Sequence, residues 1–411
     1  MAEHEPEAFR TSARDWLDEN LPASLRGAPD AVSEAVSGAG PLPPDVAVWK
    51  QRMADQGWGV PTWPREYGGA GLTPAQARMV VEEMGRLGAG NPIAGIGSAM
   101  LGPTLLESGT DDQKRRHLPP IARGELRWCE GYSEPGAGSD LASLQTRCED
   151  HGDHWRVTGQ KIWTSQAQFA DWCFCLVRTD TTKKQGGISF VLIDMRQSGV
   201  EVRPIRLIDG RAPFCETFFT EARVEKTDMV GALNGGWDIG KRLLQHERGS
   251  QGGNRTAGVN RSLPELARDY IGADTRGRLA DSDLRGRLAQ HMIDAEAHAL
   301  TIHRLAAERR AGGAMTSVMK ISSTRIGQQR SELALEIMGS RGLGWEGDGF
   351  SAEELSAVQG WLWGKATTIA GGSFEIQNNV ISKRILGLPE MLPSPSWGGT
   401  ADAKHRQGGG V

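Results

Sequence analysis

Hydrophobic periodicity changes twice along this chain, and that double switch limits its possible folds more than any other feature. Up to about residue 125, apolar residues recur at helical spacing, as in Phe9, Ala13, Trp16 and Leu17. From about 126 to 235 they fall in short β-branched or aromatic runs separated by Gly, Asp or Pro. From about 236 to 390 the helical period returns, and residues 391–411, rich in Pro, Ser and Gly, read as a loose tail. No helix-length pattern separates the strand candidates, so the middle region predicts an antiparallel barrel or sandwich rather than a parallel sheet. The expected fold is α+β and multidomain. It has an N-terminal α-helical domain (1–125), a central antiparallel β-barrel-like domain (126–235) and a C-terminal helical bundle (236–390).

Local signals sharpen this outline. The stretch 34–44 is rich in Gly, Ala and Pro and reads as a loop, after which Pro43-Pro44 opens a helix carrying Val46, Trp49 and Met53. Residues 58–71 are dense in breakers and predict irregular structure, with helix resuming over 74–87. Strands are expected at 145–148, 155–158, 161–164, 172–178, 188–193 and 217–219. Three helical stripes follow: Leu284, Leu288, Met292 and Ala295; Ile326, Leu333 and Ile337; and Ile369, Ile376, Val380 and Ile381.

Charge and composition exclude several function classes. Lys plus Arg is 47 and Asp plus Glu is 51, net −4, with no long basic run, so nothing favours nucleic acid electrostatically. At 38% hydrophobic residues the chain can bury a sizeable core, unlike a disordered chain or a small disulfide scaffold. No apolar stretch approaches the roughly 18 residues of a membrane span. The acidic start, Met1-Ala2-Glu3-His4-Glu5, is unlike a presequence, so a cytoplasmic address is expected. Cys129, Cys148, Cys173, Cys175 and Cys215 include no Cys-x-x-Cys and read as small buried hydrophobes. No metal is expected. His246-Glu247 starts like a zinc-protease helix, but Ser250 stands where the second ligand belongs. The glycines of Gly339-Ser-Arg-Gly342-Leu-Gly344 follow a helical pattern instead of a strand, which excludes a Rossmann fingerprint.

The densest motif is Gly131-Tyr-Ser-Glu-Pro-Gly-Ala-Gly-Ser-Asp140. On pattern alone it is a glycine-rich turn, either structural or able to bring backbone N–H groups close to a ligand at Gly136 and Gly138. Its Tyr132-to-Asp140 portion resembles a signature of the acyl-CoA dehydrogenase family of flavoenzymes. The likeness continues in order. The loop at 57–71 resembles the family's early loop, and Thr158-Gly-Gln-Lys-Ile-Trp-Thr-Ser165 resembles its flavin-facing strand pair. Ala370-Gly-Gly-Ser-Phe-Glu-Ile-Gln377, then Arg384-Ile-Leu-Gly-Leu-Pro389, resembles its C-terminal signature. The resemblance spans roughly residues 5–390.

That resemblance implies a C-terminal four-helix bundle, tightly bound FAD, an acyl-CoA substrate, an electron-transfer flavoprotein as acceptor and a homodimer or homotetramer. It implies that Ser133 meets the flavin pyrimidine edge, that Ser165 hydrogen-bonds near N5 and that Trp163 packs beside the ring. Ser373 and Glu375 match positions near the flavin's nucleotide part, and Ser139 one on the CoA side. Taken singly, Trp163 is as readily a core residue and Ser139 a turn residue.

The implied reaction is α,β-desaturation of an acyl thioester, in which a carboxylate removes the α-proton. Two donors, one of them a backbone N–H that falls here on Gly371, steady the thioester oxygen. Gly371 is also the main departure, because many family members carry the catalytic glutamate there. A second family location for the base, on a helix near the start of the C-terminal domain, falls on Glu247. Arg248 follows it as the family often has, which places it on the substrate side. On a helix from Trp237, Glu247 shares a face with Gly240, Leu243 and Leu244, a partly apolar setting that raises a carboxyl's pKa. Without the resemblance, Glu247 reads as a solvated glutamate paired with Arg248 or Lys241, and Glu375 is the rival carboxylate. Two other functions stay open: a non-catalytic subunit of a heteromer, which the vacancy at Gly371 motivates, and a flavin oxidase or monooxygenase on the same fold.

Overall fold

The computed structural model describes residues 4–250, 261–307 and 315–389; side chains are described over 7–246, 261–305 and 315–389. The N-terminal region folds into α1 (His4–Asn20), α2 (Pro29–Ser37), α3 (Pro44–Gln56), α4 (Pro74–Arg86), α5 (Gly102–Ser108) and α6 (Asp111–Ala122). Local chemistry explains their starts. Pro44 stands at the first turn of α3, and Thr73 and Thr110 close capping boxes with Gln76 and Gln113 at α4 and α6. The loop expected at 34–44 is shorter, because α2 begins at Pro29 and runs to Ser37.

The middle region forms β1 (Trp128–Gly131), β2 (Arg147–Asp150), β3 (His154–Ser165), β4 (Trp172–Arg178), β5 (Ile188–Asp194), β6 (Val200–Ile205), β7 (Phe214–Glu225) and β8 (Met229–Val230). They make one sheet in the order β6-β7-β3-β2-β4-β5-β8. β1 pairs off this path with β4. This corrects two expectations. The sheet is open in its pairing, with β6 and β8 at its ends, and is not a closed barrel. It is also not wholly antiparallel, since β1 and β2 both pair parallel to β4. β5 occupies one edge of β4 along its whole length, so β1 (opposite 172–175) and β2 (opposite 178) share the other edge. The segment 132–146 is therefore an excursion between two strands laid end to end.

Burial follows from this order. On β4, Phe174 and Leu176 join the core shared with the N-terminal helices, while Cys173, Cys175 and Val177 join a second core on the opposite face. β5 splits the same way, with Phe190 and Leu192 against Val191 and Ile193. Burial of both faces is why these two strands read as unbroken apolar runs. The five cysteines are buried and unpaired, as read; burial pushes the Cys148 thiol up to about 12.

The C-terminal region comprises α7 (Gly236–Ser250), α8 (Leu263–Tyr270), α9 (Ser282–Ala307), α10 (Met315–Met338), α11 (Ala352–Gly364) and α12 (Phe374–Val380). α8, α9, α11 and α12 pack on α10, whereas α7 packs on β4, β5 and α5. The stripe expected from Ile369 to Ile381 starts later: Ile376, Val380 and Ile381 are helical and half-buried, but Ile369 is 71% exposed, because Gly371 and Gly372 delay helix until Phe374. Residues 391–411 lie outside the described residues. Among those described, no helix is long and apolar enough to cross a membrane.

Candidate active site

The glycine-rich excursion is tied down from beneath. Glu134 and Ala137 exchange backbone hydrogen bonds at 3.1 and 3.0 Å, and the Ile162 N–H donates to the Ser133 carbonyl at 2.9 Å. The Glu134 carboxylate accepts from the backbone N–H groups of Gln145 (2.7 Å) and Thr146 (2.9 Å) and from Lys161 Nζ (2.8 Å). Lys161 is fully buried and also donates to the Tyr132 carbonyl at 3.1 Å. Burial works to raise the Glu134 pKa, but the Lys161 ammonium and the Thr146 and Gln145 donors outweigh it and hold the carboxyl below its ordinary value. Beside this pair opens a cleft of about 570 Å³, lined by Pro135, Gly136, Gln145, Arg147, Gly159 and Gln160 among others.

Trp163 owes its exposure to a break in strand register. Lys161 pairs with Thr217 and Thr164 with Cys215, so Ile162 and Trp163 together oppose Glu216 in a β-bulge. The bulge releases the Ile162 N–H toward Ser133 and puts Trp163 in left-handed backbone, φ 62°. Such a conformation costs a bulky residue about 1–2 kcal/mol. Its buried neighbours hold it there: Lys161 through Glu134, and Thr164 through a hydroxyl bond from Thr217 at 3.1 Å. The indole is left 53% exposed. Ser133 and Ser165 are half-buried on either side of this bulge, whereas Ser139 stands exposed at the far end of the excursion.

A second group sits at the start of α12. Gly371 and Gly372 have φ of 65° and 92°, a double left-handed turn. Gln377 Nε2 donates to the Gly371 carbonyl and Lys320 Nζ to that of Gly372, both at 2.8 Å. Ser373 caps α12, its hydroxyl accepting from the Ile376 N–H at 3.4 Å. Glu375 is exposed; its own N–H, the Ser373 hydroxyl and the Lys320 charge lower its pKa.

The third group is on α7. Gly240 lets this helix close on the sheet, because a Cβ there would meet Leu176 at 3.1 Å and the Tyr132 hydroxyl at 3.4 Å. Arg242 grips Glu107 of α5 through two bonds of 2.8 Å, and His246 Nε2 lies 3.5 Å from the same carboxylate. Glu247 and Arg248 belong to the last turns of α7, and their side chains lie outside the described residues.

Of the residues singled out in the sequence, Ser133 is joined to the Trp163 bulge by the Ile162–Ser133 bond, and Ser165 follows two residues along β3, paired with Phe214. Gly371, Ser373 and Glu375 cluster on a separate turn. Reading by motif missed the roles of Glu134, Lys161 and Phe214. A lysine inside a β-branched run was the one available signal for Lys161. These residues fit a flavin. A strained indole that is half-exposed leaves ring surface free, and a planar ring laid over it would offset the cost of its backbone.

Fold and site together define a three-part flavoenzyme of α and β structure. The chain matches the acyl-CoA dehydrogenase N-terminal domain over residues 3–125, the middle domain over 129–222 and the C-terminal domain over 234–386. It is 38% identical over 395 residues to acyl-CoA dehydrogenase IpdE1 of Mycobacterium tuberculosis, covering 93% of this chain and 98% of that one. Among solved structures, it superposes on the Tcur3481-Tcur3483 steroid ACAD with a TM-score of 0.75 at 28% identity, covering 94% of this chain and 98% of that one. The corresponding values for the ChsE4-ChsE5 complex from Mycobacterium tuberculosis are 0.74, 29%, 94% and 98%. The chain belongs to the acyl-CoA dehydrogenase family and is an FAD-dependent oxidoreductase.

Proposed function

We propose that this enzyme desaturates an acyl-CoA thioester between its α and β carbons and passes the electrons to an electron-transfer flavoprotein. The observation that carries the reading is the half-exposed indole of Trp163 in left-handed backbone. Bound FAD would supply the hydride acceptor. Ser133 and Ser165 offer hydroxyls to its pyrimidine edge and N5 side, and Ser373 and Glu375 serve its nucleotide part. Ser139 and Arg248 serve the CoA ester in this reading. Glu247 takes the α-proton, because Gly371 has no side chain to do so. The Gly371 N–H steadies the oxygen on which enolate charge develops, and the ties from Gln377 and Lys320 to the neighbouring carbonyls support a fixed donor.

The acyl group in this reading is bulky or ring-bearing. A glycine at 371 frees space beside the thioester, and the similarity to a structure titled steroid ACAD points the same way. The chain divides at 1–125, 126–235 and 236–390, the C-terminal helices form a four-helix bundle, and the enzyme is a homodimer or homotetramer. Anaerobic titration of the purified yellow protein with short, long, branched and ring-bearing acyl-CoAs tests the reading. Bleaching by ring-bearing esters is expected; no bleaching by any ester would overturn it. A second reading, one subunit of a heteromer, is favoured by the similarity to the ChsE4-ChsE5 complex. A chain that is colourless alone and yellow only with a paralogue would establish it. Hydrogen peroxide formed stoichiometrically under air would instead identify an oxidase.

A further inference from the structure

Trp163 is the first ring of a row that crosses from the sheet into the C-terminal region. The ring of Phe214, on β7, meets it at 6.1 Å and 87°. Phe214 in turn lies flat against Trp363 of α11, at 5.6 Å and 8°. The Arg211 guanidinium covers the Trp363 ring at 5.1 Å. Arg211 is fixed by Asp209, a carboxylate only 2% exposed, through Nε at 2.7 Å and the backbone N–H at 3.0 Å.

The physical need for such a row is clear from burial. The backbone of Trp163 is locked by its neighbours, but its half-exposed side chain is not confined by a core. A ring that must lie at one tilt against a planar ligand needs a wall. Phe214 supplies an edge-to-face contact, the favoured geometry for a ring pair. Phe214 is itself only half-buried, so its orientation depends on the ring stacked behind it. That ring belongs to an element more than a hundred residues away in sequence, so the tilt of the indole is tied to how α11 docks on the sheet.

We propose that Phe214 and Trp363 are positioning residues that set the orientation of the Trp163 indole against the flavin. The proposal rests on the reading of Trp163 as the flavin-facing residue. The test uses the purified full-length protein, stripped of FAD and reconstituted, with the visible circular dichroism of the bound flavin and the FAD dissociation constant as readouts. Trp363→Leu and Phe214→Leu are expected to change the flavin dichroism and to weaken FAD binding roughly two- to tenfold, the size of one lost aromatic contact. Trp363→Phe should restore both. Trp163→Ala with Trp363→Leu should bind FAD no more weakly than Trp163→Ala alone, because both changes break one chain of contacts. Should Trp363→Leu fail to fold, Phe214→Leu and Trp363→Phe carry the same comparison. Wild-type dichroism and affinity in Trp363→Leu or Phe214→Leu, with both altered in Trp163→Ala, would overturn the positioning role alone. Wild-type values in Trp163→Ala would remove the flavin-facing reading and the proposal with it.

Discussion

A single carboxylate separates the proposed chemistry from its alternatives. Glycine at 371 removes one family position for a base, and the adjoining Gly372 has no acidic side chain either. With Glu247 as base, Glu247→Gln should keep its FAD and lose flavin reduction rate by about 10²- to 10⁴-fold, the usual contribution of a positioned base. Stopped-flow reduction at undiminished speed would move the role to another carboxylate, with Glu375 next in line. Lys161 makes a different kind of prediction. Removing one partner of a buried ion pair strands the other, and Glu134 is only 9% exposed. Lys161→Met should cost about 3–5 kcal/mol in urea unfolding, and adding Glu134→Gln should recover part of it. How visible these residues are in the sequence differs. The Gly-Gln-Lys-Ile-Trp-Thr-Ser run marks Trp163 by resemblance, but its left-handed backbone depends on a missing β7 partner and has no local signal. The pairing of Lys161 with Glu134 joins positions 27 residues apart, beyond the reach of periodicity.

At the scale of elements, helix starts are written locally and helix partners are not. The Thr73 capping box sets where α4 begins; Glu83, later in the same helix, decides what it holds. Its carboxylate is 3% exposed and bonds Arg14 at 3.0 Å, Arg86 at 3.0 Å and Arg10 at 3.2 Å, which fastens α1 to α4. Arg14 foremost, with Arg86 and Arg10, outweighs burial and brings its pKa from 4.5 to about 2. The folded value lies below the unfolded one. The carboxylate therefore adds stability at pH above about 4.5, and that gain fades as pH falls toward about 2. Glu83→Gln should melt well below wild type at neutral pH, and the gap in Tm should narrow through this acid window; a gap independent of pH would refute the linkage. Strand elements were less legible. The runs at 155–158 and 161–164 are one strand, β3, because Gly159 and Gln160 continue the ladder to β7 instead of turning. The edge strand β6 is short and carries Pro204, and its apolar residues Val200, Val202 and Ile205 are only half-buried, so its alternation with Glu201 and Arg203 was a weak signal.

Across the whole molecule, the proposed flavin contacts come from three separated places: the excursion between β1 and β2, the bulge of β3, and the turn before α12. A ligand that bridges all three binds the folded chain and not the unfolded one. Adding FAD to apoprotein should therefore raise the unfolding midpoint, by about 2.7 kcal/mol of stability at a hundredfold excess over Kd. Calorimetry showing no shift with added FAD would argue against a site assembled from all three regions. The mixed pairing of the sheet, where an antiparallel barrel or sandwich was expected, has the same origin. β4 spends one whole edge on β5 and shares the other between two short strands, so the chain must leave the sheet between them, and that departure is the glycine-rich excursion itself.

Periodicity, caps and motif order determined from sequence alone the succession of helical, stranded and helical regions, the family resemblance and the residues to watch, because those signals act over a few neighbouring positions. Tertiary structure alone decided the register slip that turns Trp163 outward, the burial of Lys161 under the glycine-rich excursion, and the stacking of Phe214 on Trp363. Each of these depends on which distant segment supplies the missing partner, and no local pattern encodes that choice.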